Sequence, residues 1–462
     1  MSSESSLEVG VEIAAQNAKM ILGPYSSQQE GLPNWIRYHG AVEPFEPGEL
    51  FSKEQRQIVL VMVGLPARGK SLIAGKVVRF LKWQNVIAKI FNVGSYRRTD
   101  NPHPGANFFD TTNKDGERAR KAAAEAAVAD MLEWFKDSSN KVGILDATNS
   151  TKERRKWIYD KITAAGLLHI FIESICDDED IIMHNILDVK TTSPDYVGQD
   201  PELAAKDFRE RIKNYEKIAN VGNHIEINRM MDYLQTRIVY YLTNLHIKPR
   251  SIWLSRHGES EYNLTKQIGG DADLTKNGQA YAKLLPELLI KSGLPTDEKI
   301  VVWTSTLKRT NQTAKHVVEE LGYSKLEWKA LDEIDGGICD HMTYAEIKKK
   351  YPEDFARRDE DKYNYRYPGG ESYYDVVKRL EPIIMELERG GNVMIITHQA
   401  VLRCIWAYFN ETGSDKSPWV KIPLHTLFKL TPRAYGNKVE EFASGVAGVS
   451  THRLKGEVEE GA

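Results

Sequence analysis

Cysteine is scarce in this chain. Cys176, Cys339 and Cys404 are the only three in 462 residues, and an odd number spaced this widely gives neither a disulfide framework nor a zinc-ligand set. Reduced thiols in a cytoplasmic compartment are the expectation. Long apolar runs are missing as well. No stretch approaches the roughly 18 residues needed to cross a bilayer, so no membrane partner is expected. The opening MSSESSLEVG has no basic region and no apolar core, so a secretory signal is not expected either. Excess charge of one sign is also absent. A net charge of −3 with 27% charged residues leaves no broad basic footprint for nucleic acid. What is present is an ordinary globular composition, 41% hydrophobic, in a chain long enough for two cores.

The patterning divides the chain. Residues 1–54 mix Ser, Glu, Pro and Gly without periodicity and read as an arm or tail. From 55 to 248 apolar strands alternate with helical spacing. IVLVMVG (58–64), KVGILDATN (141–149) and LLHIFIESIC (167–176) read as buried strands of a mainly parallel sheet. SLIAGKVVRFLKW (71–83), the Ala-rich 117–137 and the stretch 230–247 read as helices. The pattern restarts at 249 and runs to 447. SIWLSRHG (251–258), KIVVWTS (299–305) and NVMIITHQ (392–399) are strands, with helices over 277–293, 309–322 and 372–390. Strands alternating with helices predict an α/β fold in both units. Residues 448–462 read as a C-terminal tail with an acidic, disordered end.

GLPARGKS, comprising Gly64, Leu65, Pro66, Ala67, Arg68, Gly69, Lys70 and Ser71, lies between a strand and a helix. That is the setting of a phosphate-binding loop. Glycines let backbone N–H groups approach phosphate oxygens, and the helix N-terminus favours negative charge. Lys70 would reach the β and γ phosphates, and Ser71 would place its hydroxyl on Mg²⁺. ILDATN (144–149) ends a strand on Asp146, the position for a second Mg²⁺ ligand. In this setting the loop by itself points to a nucleotide site rather than a glycine-rich turn; a strand-terminal Asp alone is more often a helix cap, and paired with the loop it reads as part of an ATP site. Scattered cations (Arg97, Arg98, Arg120, Arg154, Arg155, Lys190 and Arg211) would suit a phosphorylated second substrate, although spacing alone does not show that they meet.

The second unit ends one strand on Arg256-His257-Gly258-Glu259 and another on Thr397-His398-Gln399. A lone histidine is usually structural. Two histidines at strand carboxyl ends in one α/β unit point instead to a site, because functional groups gather there. A nucleophilic imidazole needs a neutral nitrogen facing phosphorus and positive partners around the other oxygens. Arg256, Arg309 and His398 are the candidates for those partners. Glu333, in LDEIDGG, is the candidate proton donor.

At this point RHGE with a later THQ resembles the histidine phosphatase, phosphoglycerate-mutase-like superfamily. A phosphate-loop kinase unit ahead of it resembles the bifunctional 6-phosphofructo-2-kinase/fructose-2,6-bisphosphatase family. FNVGSYRR, LDATNSTKERR, ESICDDE, RHGESEYN, IGGDADLT, VWTSTLKRT, EIDGGICD, DKYNYRYPGGESY, IIMELERG and PLHTLFKLTP extend the likeness from about residue 57 to 440. The resemblance implies two opposed reactions: making fructose 2,6-bisphosphate from fructose 6-phosphate and ATP, and hydrolysing it through a phosphorylated His257. It implies that Asn185, Lys190 and Tyr435 contact nucleotide. It implies that Arg97, Arg120, Thr148, Arg154, Lys190, Arg211 and Tyr215 hold the sugar phosphate, and that Cys176 belongs to the kinase site. In the second unit it assigns substrate contacts to Asn263, Gly269, Tyr344, Arg358, Lys362, Tyr373, Gln399 and Arg403. A homodimer is the family expectation.

The sequence departs from the family pattern in one place. After RIKNYEKIA (211–219) it passes directly to NVGNHIEINRMMDYLQ, where the family carries a longer insert with an apolar strand. Two further readings therefore stand beside the bifunctional one. The first is a bisphosphatase whose shortened kinase unit binds nucleotide with weak turnover. The second is a non-enzymatic ATP-sensing scaffold, against which both complete motif sets argue.

Overall fold

A computed structural model of the chain describes residues 56–100, 105–110, 112–176, 178–179, 182–183, 186, 201–216, 233–245, 250–294, 300–432, 437–453 and 455. All of them fall within one compact unit, Ser52–Ala462. The calls made for residues 1–54, for Asn185, Lys190 and Tyr435, and for the acidic end lie outside the described residues.

In the first half, strands β1 (Ile58–Val63), β2 (Ala88–Asn92), β3 (Val142–Asp146) and β4 (Leu168–Glu173) form a parallel sheet in the order β2-β3-β1-β4. β1 and β3 are buried along their whole length, which is why both read as undiluted apolar runs. Helices α1 (Lys70–Trp83), α2 (Val93–Asp100), α3 (Lys114–Trp134), α4 (Lys152–Ala164), α5 (Pro201–Glu216) and α6 (Tyr233–Thr243) follow in chain order. α3 starts where Asn113 accepts from the Gly116 N–H, and α4 where Thr151 accepts from the Arg154 N–H. Both are side-chain caps for otherwise unpaired donors. β2 was not expected: its pattern, buried only at Ala88 and Phe91, alternates too weakly to be picked out.

The second half begins with β5 (Ile252–Arg256), α7 (Glu261–Thr265) and α8 (Lys276–Lys291), then β6 (Val301–Thr304), α9 (Lys308–Leu321) and β7 (Ser324–Glu327). Helices α10 (Tyr344–Lys350), α11 (Pro352–Glu360), α12 (Tyr373–Arg379) and α13 (Glu381–Arg389) come next, then β8 (Val393–Thr397) and α14 (Gln399–Phe409). An antiparallel pair closes the sheet, β9 (Thr426–Pro432) with β10 (Asn437–Ala443), giving the order β10-β9-β5-β8-β6-β7. The single helix expected over 372–390 is two helices. Pro382 has no N–H to donate into the preceding turn, and the helix breaks at Leu380.

The halves share a core. Ile58, Leu60 and Phe80 belong to the same buried cluster as Ile384, Ile395 and Tyr408. Trp83 donates to the Cys404 carbonyl at 3.0 Å, and Tyr241 stacks on Phe80 with ring centres 4.5 Å apart. Between the halves sits Glu388, 1% exposed, paired with Lys76 at 2.9 Å, Arg79 at 2.8 Å and Arg250 at 3.2 Å. Three cations share one carboxylate. The carboxylate is therefore fully compensated and its pKa falls to about 2 against the cost of burial, while burial outweighs the shared charge at Lys76 and Arg250 and lowers both.

Candidate active sites

Strand order builds the second-half site. β5 and β8 run parallel with Arg256 opposite Thr397, so the next residues, His257 and His398, emerge side by side with ring centres 5.2 Å apart. The His257 N–H donates to the Thr397 carbonyl at 3.0 Å. The His257 side chain is fixed by Nδ1, 2.7 Å from the Gly258 carbonyl. An oxygen there accepts only from a protonated Nδ1, so Nε2 keeps its lone pair. Burial, then Arg309 and Arg256, push the His257 pKa well below its usual 6.5, so the ring is neutral at physiological pH.

His398 differs from expectation. It was counted among the positive partners, yet burial and the neighbouring Arg309 push its pKa well below 6.5 as well. Its Nδ1 accepts from Arg309 Nε at 3.2 Å and its Nε2 lies 2.8 Å from Ser305 Oγ. A neutral ring that orients Arg309 replaces the expected cation. Arg309 also donates to the Gly270 carbonyl at 2.7 Å. Arg256 donates from Nη1 to the Ile422 carbonyl at 3.0 Å and to Thr451 Oγ1 at 2.7 Å. Its Nε finds no partner among the described residues. Burial, reinforced by Arg403 and Arg309, lowers the Arg256 pKa to about 9, which leaves it charged at neutral pH. The Glu333 carboxylate accepts the N–H groups of Gln399 and Ala400 at 3.1 Å, at the start of α14, and that of Ile334 at 3.0 Å.

One cavity gathers these groups. Arg256, His257, Arg309 and Glu333 line it, together with Asn263, Gly269, Tyr344, Arg358, Tyr373, Gln399 and Arg403. Gly269 has φ +70°, and a Cβ there would stand 2.0 Å from Asp340 Oδ1, so glycine is required. Arg358 donates to Tyr367 Oη at 2.6 Å and Tyr344 Oη at 2.9 Å. Arg403 donates to Tyr373 Oη at 3.0 Å. Asn263 accepts from the Ser260 N–H at 2.9 Å as part of the α7 cap. Lys362 is the exception to the expected contacts. It lies behind the wall, donating to the Pro418 carbonyl at 3.0 Å over the Trp419 ring, and burial with Arg358 and Arg403 holds its pKa well below 10.5. Sequence reasoning missed Tyr367, Thr451 and Arg453, which also line the cavity. The last two fall in the stretch taken as a tail. The basic run His452, Arg453 and Lys455 just before the acidic end was the available signal.

In the first half the β1–α1 loop carries left-handed backbone at Ala67 (φ 60°) and Gly69 (φ 80°). Gly64, at φ 136°, is held by its N–H to the Thr148 carbonyl at 2.9 Å, and a Cβ there would meet the Ser174 carbonyl oxygen at 2.5 Å. Asp146 is 3% exposed. Its Oδ2 accepts from Ser71 Oγ at 2.7 Å and from Asn92 Nδ2 at 2.6 Å. Neighbouring oxygens around an octahedral Mg²⁺ stand about 2.9 Å apart, so this hydroxyl and carboxylate fit the ion as adjacent ligands. Lys70 is buried and donates to the Leu65 carbonyl. Desolvation, opposed by Asp146 and aided by Arg211 and Arg68, lowers its pKa to about 8.

The predicted sugar-phosphate cations converge on Phe109, a residue the sequence did not single out. Arg211 lies 3.9 Å above its ring, Arg97 5.5 Å and Arg120 5.9 Å, and Tyr215 packs with ring centres 5.9 Å apart. Arg154 stacks on Trp157 at 5.2 Å, and burial lowers its pKa. Arg98 and Arg155 turn elsewhere, to Ser95 Oγ at 3.2 Å and the Asn149 carbonyl at 3.1 Å. Cys176 packs at the edge of a small cluster with Ile182, Ile186 and Phe208.

Comparison with known proteins agrees with this geometry. The family model for 6-phosphofructo-2-kinase matches residues 48–220, and that for the histidine phosphatase superfamily (branch 1) matches residues 252–444. The rat protein 6-phosphofructo-2-kinase/fructose-2,6-bisphosphatase 1 is 47% identical, over 86% of this chain and 87% of its own length. The chain belongs to the 6-phosphofructo-2-kinase/fructose-2,6-bisphosphatase family. A fructose-2,6-bisphosphatase of Saccharomyces cerevisiae is 50% identical over 87% of this chain and 91% of its own length. Among solved structures, the alpha-ribazole phosphatase of Shigella flexneri is 21% identical with a TM-score of 0.38, covering 43% of this chain and 99% of its own.

Proposed function

We propose that the first half transfers the ATP γ-phosphoryl group to the 2-hydroxyl of fructose 6-phosphate, and that the second half hydrolyses the resulting fructose 2,6-bisphosphate through phosphorylated His257, so that the chain regulates glycolysis. One observation carries the reading. His257 has its Nδ1 proton committed to the Gly258 carbonyl and its free Nε2 in a cavity with Arg256 and Arg309, which is the arrangement a phosphorus-attacking imidazole needs. Family membership supports both halves.

In the phosphatase reaction Nε2 attacks phosphorus, Arg256 and Arg309 bear the charge on the equatorial oxygens, and Glu333 gives its proton to the departing C2 oxygen. Glu333 then takes a proton from water, the hydroxide cleaves the phosphohistidine, and phosphate leaves with His257 restored. Arg358, Tyr344, Tyr373, Arg403, Asn263, Gly269 and Gln399 hold the rest of the sugar bisphosphate, with Lys362 supporting that wall from behind. In the kinase reaction the 64–71 loop cradles ATP and Lys70 follows the moving phosphoryl group. Arg97, Arg120, Arg154, Arg211, Tyr215 and Thr148 hold fructose 6-phosphate. Mg²⁺, when bound by Ser71 and Asp146, offsets charge on the phosphate oxygens. Asn185, Lys190, Tyr435 and Cys176 complete the kinase assignments. No helix among the described residues is long and apolar enough to cross a membrane; we place the protein in the cytoplasm as a homodimer.

The test is a pair of assays on the full chain. Fructose 6-phosphate with labelled ATP and Mg²⁺ yields labelled bisphosphate, and bisphosphate labelled at position 2 releases phosphate. A specific observation keeps the second reading alive: the yeast relative is named for the phosphatase alone. Phosphate release without synthesis selects that reading, and no turnover in either direction removes both.

A further inference from the structure

Residues 449–453, after β10, stay against the molecule. Val449 donates its N–H to Glu259 Oε2 at 2.8 Å. Thr451 accepts from Arg256 as described. Arg453 is 7% exposed and forms a two-pronged pair with Asp359, Nη1 to Oδ1 at 2.8 Å and Nη2 to Oδ2. Asp359 is also the nearest acid to Arg358, with Oδ1 3.5 Å from Arg358 Nη1, a contact too long and poorly aligned to be a hydrogen bond. Nη1 of Arg358 is buried and finds no hydrogen-bond partner among the described residues, and Arg358 lines the cavity. The two guanidinium groups lie over the Tyr344 ring, Arg358 at 4.8 Å and Arg453 at 5.3 Å.

We propose that Arg453 is a positioning residue of the phosphatase site: by engaging both oxygens of Asp359 it keeps that carboxylate from closing on Arg358, and so leaves the Arg358 guanidinium available to the phosphate that is not transferred. The inference rests on the phosphatase reading and adds to it the role of a segment that carries none of the reacting groups. Its physical basis is a competition. A carboxylate between two arginines gives its bidentate geometry to one of them. Without Arg453, the acid 3.5 Å away turns to Arg358, cancels its charge and satisfies the nitrogen that a ligand would otherwise use.

The test compares Arg453→Gln, Asp359→Asn and the double variant in the full chain. Arg453→Gln raises KM for fructose 2,6-bisphosphate about tenfold, while kcat stays within about twofold. Hydrolysis of p-nitrophenyl phosphate, which has no second phosphate, is unchanged. Asp359→Asn in the Arg453→Gln background restores most of the lost KM, because the quenching carboxylate is gone, and Arg453→Lys restores it in part. A merely structural role lowers both substrates alike and is not relieved by Asp359→Asn; that pattern overturns the inference, as does an unchanged KM in Arg453→Gln. Calorimetric binding of fructose 6-phosphate, with Arg211→Ala present in both proteins to remove the kinase-half sugar site, gives an independent reading. If the wild type hydrolyses neither substrate, the phosphatase reading falls on its own, while a weaker fructose 6-phosphate affinity in Arg453→Gln still supports the positioning role and an equal affinity removes it.

Discussion

The two halves hold phosphate in different ways. In the second half the reacting groups follow directly from adjacent strand ends, and hydrogen bonds fix each side chain: Nδ1 of His257 on a carbonyl, Arg309 on His398, Glu333 on the start of α14. In the first half the cations gather by stacking on Phe109, and Lys70 is turned back onto a loop carbonyl. The phosphatase site is preorganised; on the proposed reading Lys70 would exchange the Leu65 carbonyl for phosphate as nucleotide arrives. A one-substrate hydrolase gains from rigidity, since preorganised donors need no rearrangement during the reaction. A two-substrate transferase gains from groups that close only on the complete complex.

The comparison breaks most cleanly at the reacting groups. His257→Ala lowers phosphatase kcat by at least about 10³-fold and leaves synthesis intact, whereas Lys70→Met does the reverse; loss of both activities in either variant contradicts two independent sites. Next in size is Glu388→Ala. It strands Lys76, Arg79 and Arg250 in the shared core, and breaking a buried pair costs about 3–5 kcal/mol. A thermal melt shows the loss, and because Glu388 joins the halves both activities fall together near the new Tm. Gly269→Ala forces a left-handed non-glycine residue, at a cost of about 1–2 kcal/mol, against Asp340. Phosphatase kcat/KM drops about tenfold while synthesis is unchanged.

The smallest effect is in pH. Lys70 has its pKa lowered to about 8, so its charge is lost as pH rises through that value. In the free enzyme kcat/KM for ATP therefore falls above about pH 8. His257, held neutral well below 6.5, adds no acid limb to the phosphatase profile between pH 8 and 6.5. A phosphatase rate falling with a midpoint near 6.5 and assigned to His257 would show that its burial has been overstated.

Much of this was legible because buried parallel strands are uniform apolar runs ending in polar residues. IVLVMVG and NVMIITHQ announce both strand and site. The unread parts share a physical cause: their signal lies in tertiary partners. β10, at the edge of the sheet, carries the polar residues Asn437, Lys438, Glu440 and Glu441 and resembles a loop. Phe109 is one aromatic in a short turn until three arginines meet over it. His398 was read as a cation because its charge depends on burial and on Arg309, neither visible in THQ. Residues 448–453 looked like a tail because Thr451 and Arg453 find Arg256 and Asp359, nearly two hundred and about a hundred residues away in the chain.

The most direct measurement is to quench the enzyme in mid-turnover with fructose bisphosphate labelled at position 2 and to map the label. Acid-labile, base-stable phosphate on the peptide containing His257, absent from His257→Ala, is the predicted result. Multiple turnovers with no labelled protein, or label that persists in His257→Ala, would contradict the account.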